Sequence, residues 1–81
     1  DFVVARGGKN NKSEQQVTFV VPQEPNGAKS IQFVVTDKSG RKVVYENTHY
    51  ANEKINKTIN ASSPYRVQIY VNGNLVKEEN Y

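Results

Sequence analysis

The sequence predicts an all-β fold, an antiparallel immunoglobulin-like β-sandwich of about six strands. Three observations carry this expectation. Apolar and polar residues alternate along most of the chain, so successive side chains point to opposite faces of a sheet. Gly, Pro, Asn and Asp separate the alternating runs at roughly 8–12-residue intervals, the spacing of short sandwich strands. No segment keeps helical spacing over about ten residues, and the Asn and β-branched content disfavours helix.

Residues 2–5 form a short apolar piece closed by Gly7 and Gly8, and residues 9–15 are polar and read as a linker. Residues 16–21 form a strand with Val17, Phe19 and Val21 on one face, ended by Pro22 and the Pro25-Asn26-Gly27 turn. Residues 30–36 are the clearest strand, with Ile31, Phe33 and Val35 inward and Gln32 and Thr36 opposite. Asp37-Lys38-Ser39-Gly40 is a hairpin turn, because aspartate can bond its own backbone and Gly40 can take positive φ. Residues 41–46 return with Val43 and Tyr45 alternating, and residues 47–52 are a polar connection. In residues 53–60, Lys57 lies between Ile55 and Ile59 on one face, which marks an edge strand.

Residues 61–64 break the pattern before Tyr65, Val67, Ile69 and Val71 alternate without a gap. Asn72-Gly73 signals a type I′ hairpin, whose two central residues need positive φ, and residues 74–80 return. A two-residue loop pairs Tyr70 with Leu75, Gln68 with Lys77 and Arg66 with Glu79; a three-residue loop shifts these pairs by one. The expected core is Val17, Phe19, Val21, Ile31, Phe33, Val35, Val43, Tyr45, Ile55, Ile59, Tyr65, Val67, Ile69 and Val71. A sandwich fits better than a barrel, since the hairpins from residue 17 onward have apolar inner and charged outer faces.

A chain of 81 residues makes one core, and a domain this small buries only about 60% of its unfolded surface, so modest stability is expected. With no cysteine it can form neither a disulfide nor a thiolate zinc site. With no methionine it is expected to be a piece of a longer protein. Its short apolar runs fall far below the ~20 residues of a membrane span, so no membrane insertion by these residues is expected. The net charge of +3 is dispersed, without the basic stripe of a duplex binder, so nucleic acid is not an expected partner.

Few residues could carry chemistry. His49, the single histidine, reads as an exposed loop residue with no partner motif. The carboxylates are scattered; Glu78 and Glu79 adjoin, but strand neighbours point to opposite faces, so no metal site or cofactor is expected. Gly7-Gly8 lacks the lysine and helix of a phosphate loop and reads as a flexible junction. Three Asn-x-Ser/Thr triplets, at Asn11, Asn56 and Asn60, are of the kind an Asn-rich chain produces by chance. Tyr65 stands where a tyrosine corner would, and Tyr45, Tyr50, Tyr70 and Tyr81 read as packing residues more readily than as a sugar-stacking surface. Lys38, Arg41, Lys42, Lys54, Lys57 and Lys77 are the candidates for a weak anionic-polymer surface.

Three stretches resemble a known arrangement. Asp1-Phe2-Val3-Val4-Ala5-Arg6-Gly7 resembles the closing strand of a PASTA repeat, with Ala5 in place of the usual serine. Val17-Thr18-Phe19-Val20-Val21-Pro22-Gln23-Glu24-Pro25 and residues 65–79 resemble the opening and closing strands of the terminal Ig-like domain of Firmicute-type PASTA Ser/Thr kinases. The resemblance implies a tail of a preceding PASTA repeat at 1–8, a linker at 9–15 and an Ig-like domain at 16–81. It implies an extracellular position, tethered to the bacterial membrane through a parent kinase. The domain itself would be a monomeric, non-catalytic module beside a PASTA repeat, extending the stalk and contacting peptidoglycan or an anionic wall polymer. The alternative is a generic Ig-like adhesion or spacer domain of another bacterial surface protein. No kinase motif is present in these residues, so any catalysis would belong to the parent.

Overall fold

The computed structural model describes the backbone of residues 2–6 and the whole of residues 14–81. The strands are β1 (Phe2–Arg6), β2 (Glu14–Val20), β3 (Lys29–Asp37), β4 (Gly40–His49), β5 (Lys54–Asn60), β6 (Arg66–Val71) and β7 (Asn74–Asn80). One sheet has the order β1-β2-β5 and the other β4-β3-β6-β7, and every pairing is antiparallel. This is an immunoglobulin-like order, with the fourth strand added beside the third. The six strands from Glu14 onward match the expected number.

The core forms between the inner faces of the two sheets. Val17, Phe19 and Val21 meet Ile31, Phe33, Val35, Val67, Ile69 and Val71, with Ile55, Ile59, Ala61 and Tyr65 closing the cluster. The Phe19 and Phe33 rings stand perpendicular, with centroids 6.3 Å apart, a favoured aromatic geometry. Tyr45 packs tilted on Phe33 at 5.3 Å and is only partly buried.

Turn chemistry follows the sequence. Asn72 (φ 51°) and Gly73 (φ 82°) both lie in the left-handed region that a type I′ turn requires. Asp37 Oδ1 accepts the Ser39 N–H at 2.8 Å, and Gly40 has φ 117°.

Two bulges overturn two expectations. Phe33 pairs with Tyr45 but Val34 pairs with Val43, so Val44 is an extra residue in β4. The bulge reverses the facing of β4: Val44 turns toward the core, and Val43, expected inside, is 43% exposed. In a second bulge Ile69 pairs with Lys77 but Tyr70 pairs with Leu75, so Val76 is an extra residue in β7. Tyr70 does face Leu75, but Gln68 faces Glu78 and Arg66 faces Asn80, each one residue beyond the pairing expected of a two-residue loop.

The outer face of the four-stranded sheet holds a buried residue that alternation assigns to solvent. Val34 is fully buried there. Arg41 sits beside Thr36 on β4 and Tyr70 beside Gln32 on β6, so the diagonal between them crosses Val34. The Arg41 guanidinium reaches along it to within 6.0 Å of the Tyr70 ring centroid.

Strands also occur outside the 16–81 bounds expected of the Ig-like domain, within the 1–8 and 9–15 segments. β1 lies against β2, from Phe2 beside Phe19 to Arg6 beside Gln15. Without β1, β2 would expose a free row of N–H and C=O groups, which is a template for any adjacent extended segment. β2 starts at Glu14, inside the expected linker, and Gln15 is buried facing Ile59, its side-chain amide donating to the Ala61 carbonyl at 3.4 Å. The Gly7-Gly8 junction and the Asn11 triplet lie outside the described residues.

Phe33→Ala should cost about 3–5 kcal/mol, the usual range for deleting a buried ring, while Val43→Ala should stay within about 0.5 kcal/mol. Urea unfolding of both variants checks this; equal midpoints would place Phe33 outside the core.

Candidate functional site

The six candidate basic residues do not share a face. Lys38 occupies the β3–β4 turn and Arg41 the outer face of the four-stranded sheet. Lys42 pairs with Val35, Lys57 with Val17 and Lys77 with Ile69, so all three lie on the core-facing side of a strand. β4, β5 and β7 are all sheet edges, and each carries one of these lysines. An inward lysine on an edge strand opposes pairing with another chain, because its ammonium would have to be desolvated. Lys57 thus confirms the edge expected of its strand. Lys54 opens β5, beside Val20.

The densest polar cluster gathers around the histidine, which sequence reasoning placed in an exposed loop. β4 runs on through residues 47–49, so His49 is a strand residue facing Lys29, with its side chain 19% exposed. The Tyr45 hydroxyl lies 2.6 Å from His49 Nε2, and His49 Nδ1 lies 3.0 Å from Glu53 Oε1. An ionised carboxylate only accepts, so Nδ1 carries the proton toward Glu53. In the neutral ring Nε2 then accepts from the Tyr45 hydroxyl. The same Glu53 oxygen accepts the Tyr50 backbone N–H at 2.8 Å. The Tyr50 N–H, followed by the His49 bond, holds the Glu53 carboxyl below its ordinary range, against a smaller opposing effect of burial.

This Tyr–His–Glu chain works as a latch. It locks the tight turn between β4 and β5, where Asn52 takes φ 69°. The turn in turn grips the other sheet's β2 strand at its end: Asn52 N–H donates to the Val21 carbonyl at 2.8 Å, and Val21 N–H to the Glu53 carbonyl at 2.9 Å. The order is that of a base with an orienting carboxylate, but the third member is a tyrosine whose ring packs on Phe33. The clue available in the sequence was spacing: Tyr45, His49 and Glu53 are four residues apart.

A second unforeseen group is Lys29, fully buried on the face it shares with Ile31 and Phe33. Its ammonium donates to the Gly27 carbonyl at 3.2 Å. Counting by two backward from Ile31 would have found it.

Aromatic residues mostly pack, as expected. Tyr65 is buried and stacks on Tyr81 at 5.3 Å, and the two exchange backbone hydrogen bonds. Burial first, then Glu79 and Tyr65, push the Tyr81 hydroxyl above its ordinary value. Tyr50, 59% exposed at the tip of the latched turn, is the exception. An open groove of about 300 Å³ runs beside the tyrosine stack between Lys38 and Arg66, and neither the latch nor Lys29 lines it. Glu78 and Glu79 point to opposite faces: Glu78 accepts from the Gln68 amide at 2.7 Å on the outer face, and Glu79 lies opposite inward-facing Val67. Among the described residues no three His, Asp or Glu side chains gather to hold a metal, and no helix is long and apolar enough to cross a membrane.

The latch makes stability depend on pH with a definite sign. A carboxyl whose folded value is depressed stabilises the fold above its unfolded value of about 4.3 and loses that contribution as pH falls through the folded value. Glu53→Gln should therefore lower stability at neutral pH, and the gap from the parent should close below about pH 4. Thermal melts of both proteins from neutral to acid pH check this; a gap that stays constant would show that Glu53 ionisation does not hold the turn.

Comparison with known proteins finds no matching family model, no matching curated protein and no matching solved structure.

Proposed function

We propose that this chain is a non-catalytic, Ig-like spacer module of a bacterial surface protein, and that it stands at the outer end of a PASTA-repeat Ser/Thr kinase ectodomain. The observation that carries the spacer reading is the path of the chain. β1 begins at Phe2, level with Phe19, at the pole that holds the latched turn. β7 ends at Asn80 beside Arg66, at the opposite pole near the β3–β4 turn. A module whose first strand starts at one pole and whose last strand ends at the other, with a long dimension of 39 Å, would add length to a stalk. The Tyr–His–Glu chain supports the fold and is given no catalytic role.

The kinase placement rests on the likeness of residues 17–25 and 65–79, which form β2 with its following turn and the β6–β7 hairpin. The pairing of β1 with β2 favours the second reading, a spacer or adhesion domain of another surface protein, because the PASTA-like segment serves as this sheet's own first strand. Hydrogen exchange separates the two at β1. Protection of the β1 amides that face β2 supports the second reading, and exchange at random-coil rates returns the segment to a preceding repeat.

Contact with wall polymer should be weak, since the lysines are spread over three edges and exposed charges more than about 8–10 Å apart are screened at physiological salt. Co-sedimentation with purified sacculi, and amide-shift titration with muropeptides and teichoic-acid fragments, should give binding that fades as salt rises. A localised, salt-independent response at micromolar ligand overturns the spacer reading in favour of specific recognition.

A further inference from the structure

The chain contains two Asn-Gly steps, Asn26-Gly27 and Asn72-Gly73, and the fold treats them differently. In such a step the glycine backbone nitrogen can attack the asparagine side-chain carbonyl carbon, because no Cβ shields that nitrogen. A C–N bond forms, ammonia leaves, and water opens the resulting succinimide to aspartate or isoaspartate. The reaction needs no enzyme, only water and freedom to reach the attack geometry, with the reacting atoms about 3–3.5 Å apart.

At the hairpin that freedom is absent. The Asn72 side-chain oxygen accepts the Ser30 N–H at 2.9 Å, and the Asn72 N–H donates to the Ser30 carbonyl at 2.8 Å. These two bonds tie the residue to β3 from side chain and backbone at once, with its φ fixed at 51° inside the turn. Asn26 is the opposite case. It lies exposed in the connection between β2 and β3, outside any strand, and no hydrogen bond holds its side chain among the described residues. Gly27 has open space on the side where a Cβ would stand.

We propose that Asn26 is a site of spontaneous deamidation in the folded protein and that Asn72 is protected by its bonds to Ser30. The consequence falls on the core. Gly27 supplies the carbonyl that receives the buried Lys29 ammonium, so the product carboxylate arises one residue from that acceptor. The isoaspartate product also lengthens the backbone by one methylene immediately before Gly27, shifting the carbonyl away from Lys29. The formal charge falls from +3 by one.

Ageing the full chain in mildly alkaline buffer, followed by peptide mapping and isoaspartate-methyltransferase labelling, tests this. Asn26 should convert about 10–100-fold faster than Asn72 in the folded protein, the scale set by loss of attack geometry. In denaturant the two rates should converge, because the protection is tertiary. Asn26→Gln should abolish the fast product and leave the thermal midpoint unchanged on ageing, whereas the parent's midpoint should fall as isoaspartate accumulates. Equal rates in the folded chain overturn the proposal. So does a rate difference that survives in denaturant, since local sequence rather than the fold would then be the cause.

Discussion

Everything in this domain depends on the packing of Phe19 and its neighbours on β2 against Phe33 and Ile69 of the facing sheet. The chain has no cysteine, so no disulfide joins the sheets, and sheet-to-sheet cohesion rests on buried apolar side chains. Both sheets must therefore keep strict inward and outward alternation wherever the core is thick. Strands at its centre obey it: Ile31, Phe33 and Val35 on β3, Val67, Ile69 and Val71 on β6, Val17 and Phe19 on β2. Departures are confined to β4 and β7, the two edges of the larger sheet, where a bulge disturbs only one neighbour.

On edge strands of both sheets, core-facing positions hold three of the six basic residues that might have been taken for a binding surface. Lys42, Lys57 and Lys77 each sit opposite a core valine or isoleucine on a strand with one open side. Their stems can cover apolar surface while the ammonium groups stay wet, and another strand cannot approach without stripping that water. Bulges on β4 and β7 add twist to the same edges. Charge in this domain thus guards open strand edges, which agrees with its dispersal over the surface.

The β4–β5 connection shows how a short polar turn can join two sheets. Tyr45 is anchored in the core through Phe33, His49 is held by Tyr45, Glu53 by His49, and the turn that Glu53 closes hydrogen-bonds Val21 in the other sheet. Each link is modest alone, and hydrogen bonds to an ionised group are the stronger members. Sharing one carboxylate oxygen between a side-chain donor and a backbone donor makes the turn sensitive to Glu53 ionisation while leaving Tyr50 projecting into solvent.

From the sequence alone, period-two alternation determined the all-β class, twelve residues of the buried core, the edge position of Lys57, and the Asn72-Gly73 and Asp37–Gly40 turns, because these depend on one strand or one turn at a time. What depended on a partner strand was decided only by the tertiary structure. Val44 replaced Val43 inside because a bulge is a property of a strand pair. Val34 is fully buried on the outward face of β3, on the diagonal along which Arg41 of β4 reaches toward Tyr70 of β6. β1 pairs with this sheet because β2 offers it an edge, which the residues of a single strand do not reveal. His49 gained its partners because β4 outruns its apolar pattern, and polar residues such as Asn47 and Thr48 extend a strand once backbone pairing with β3 supplies their hydrogen bonds.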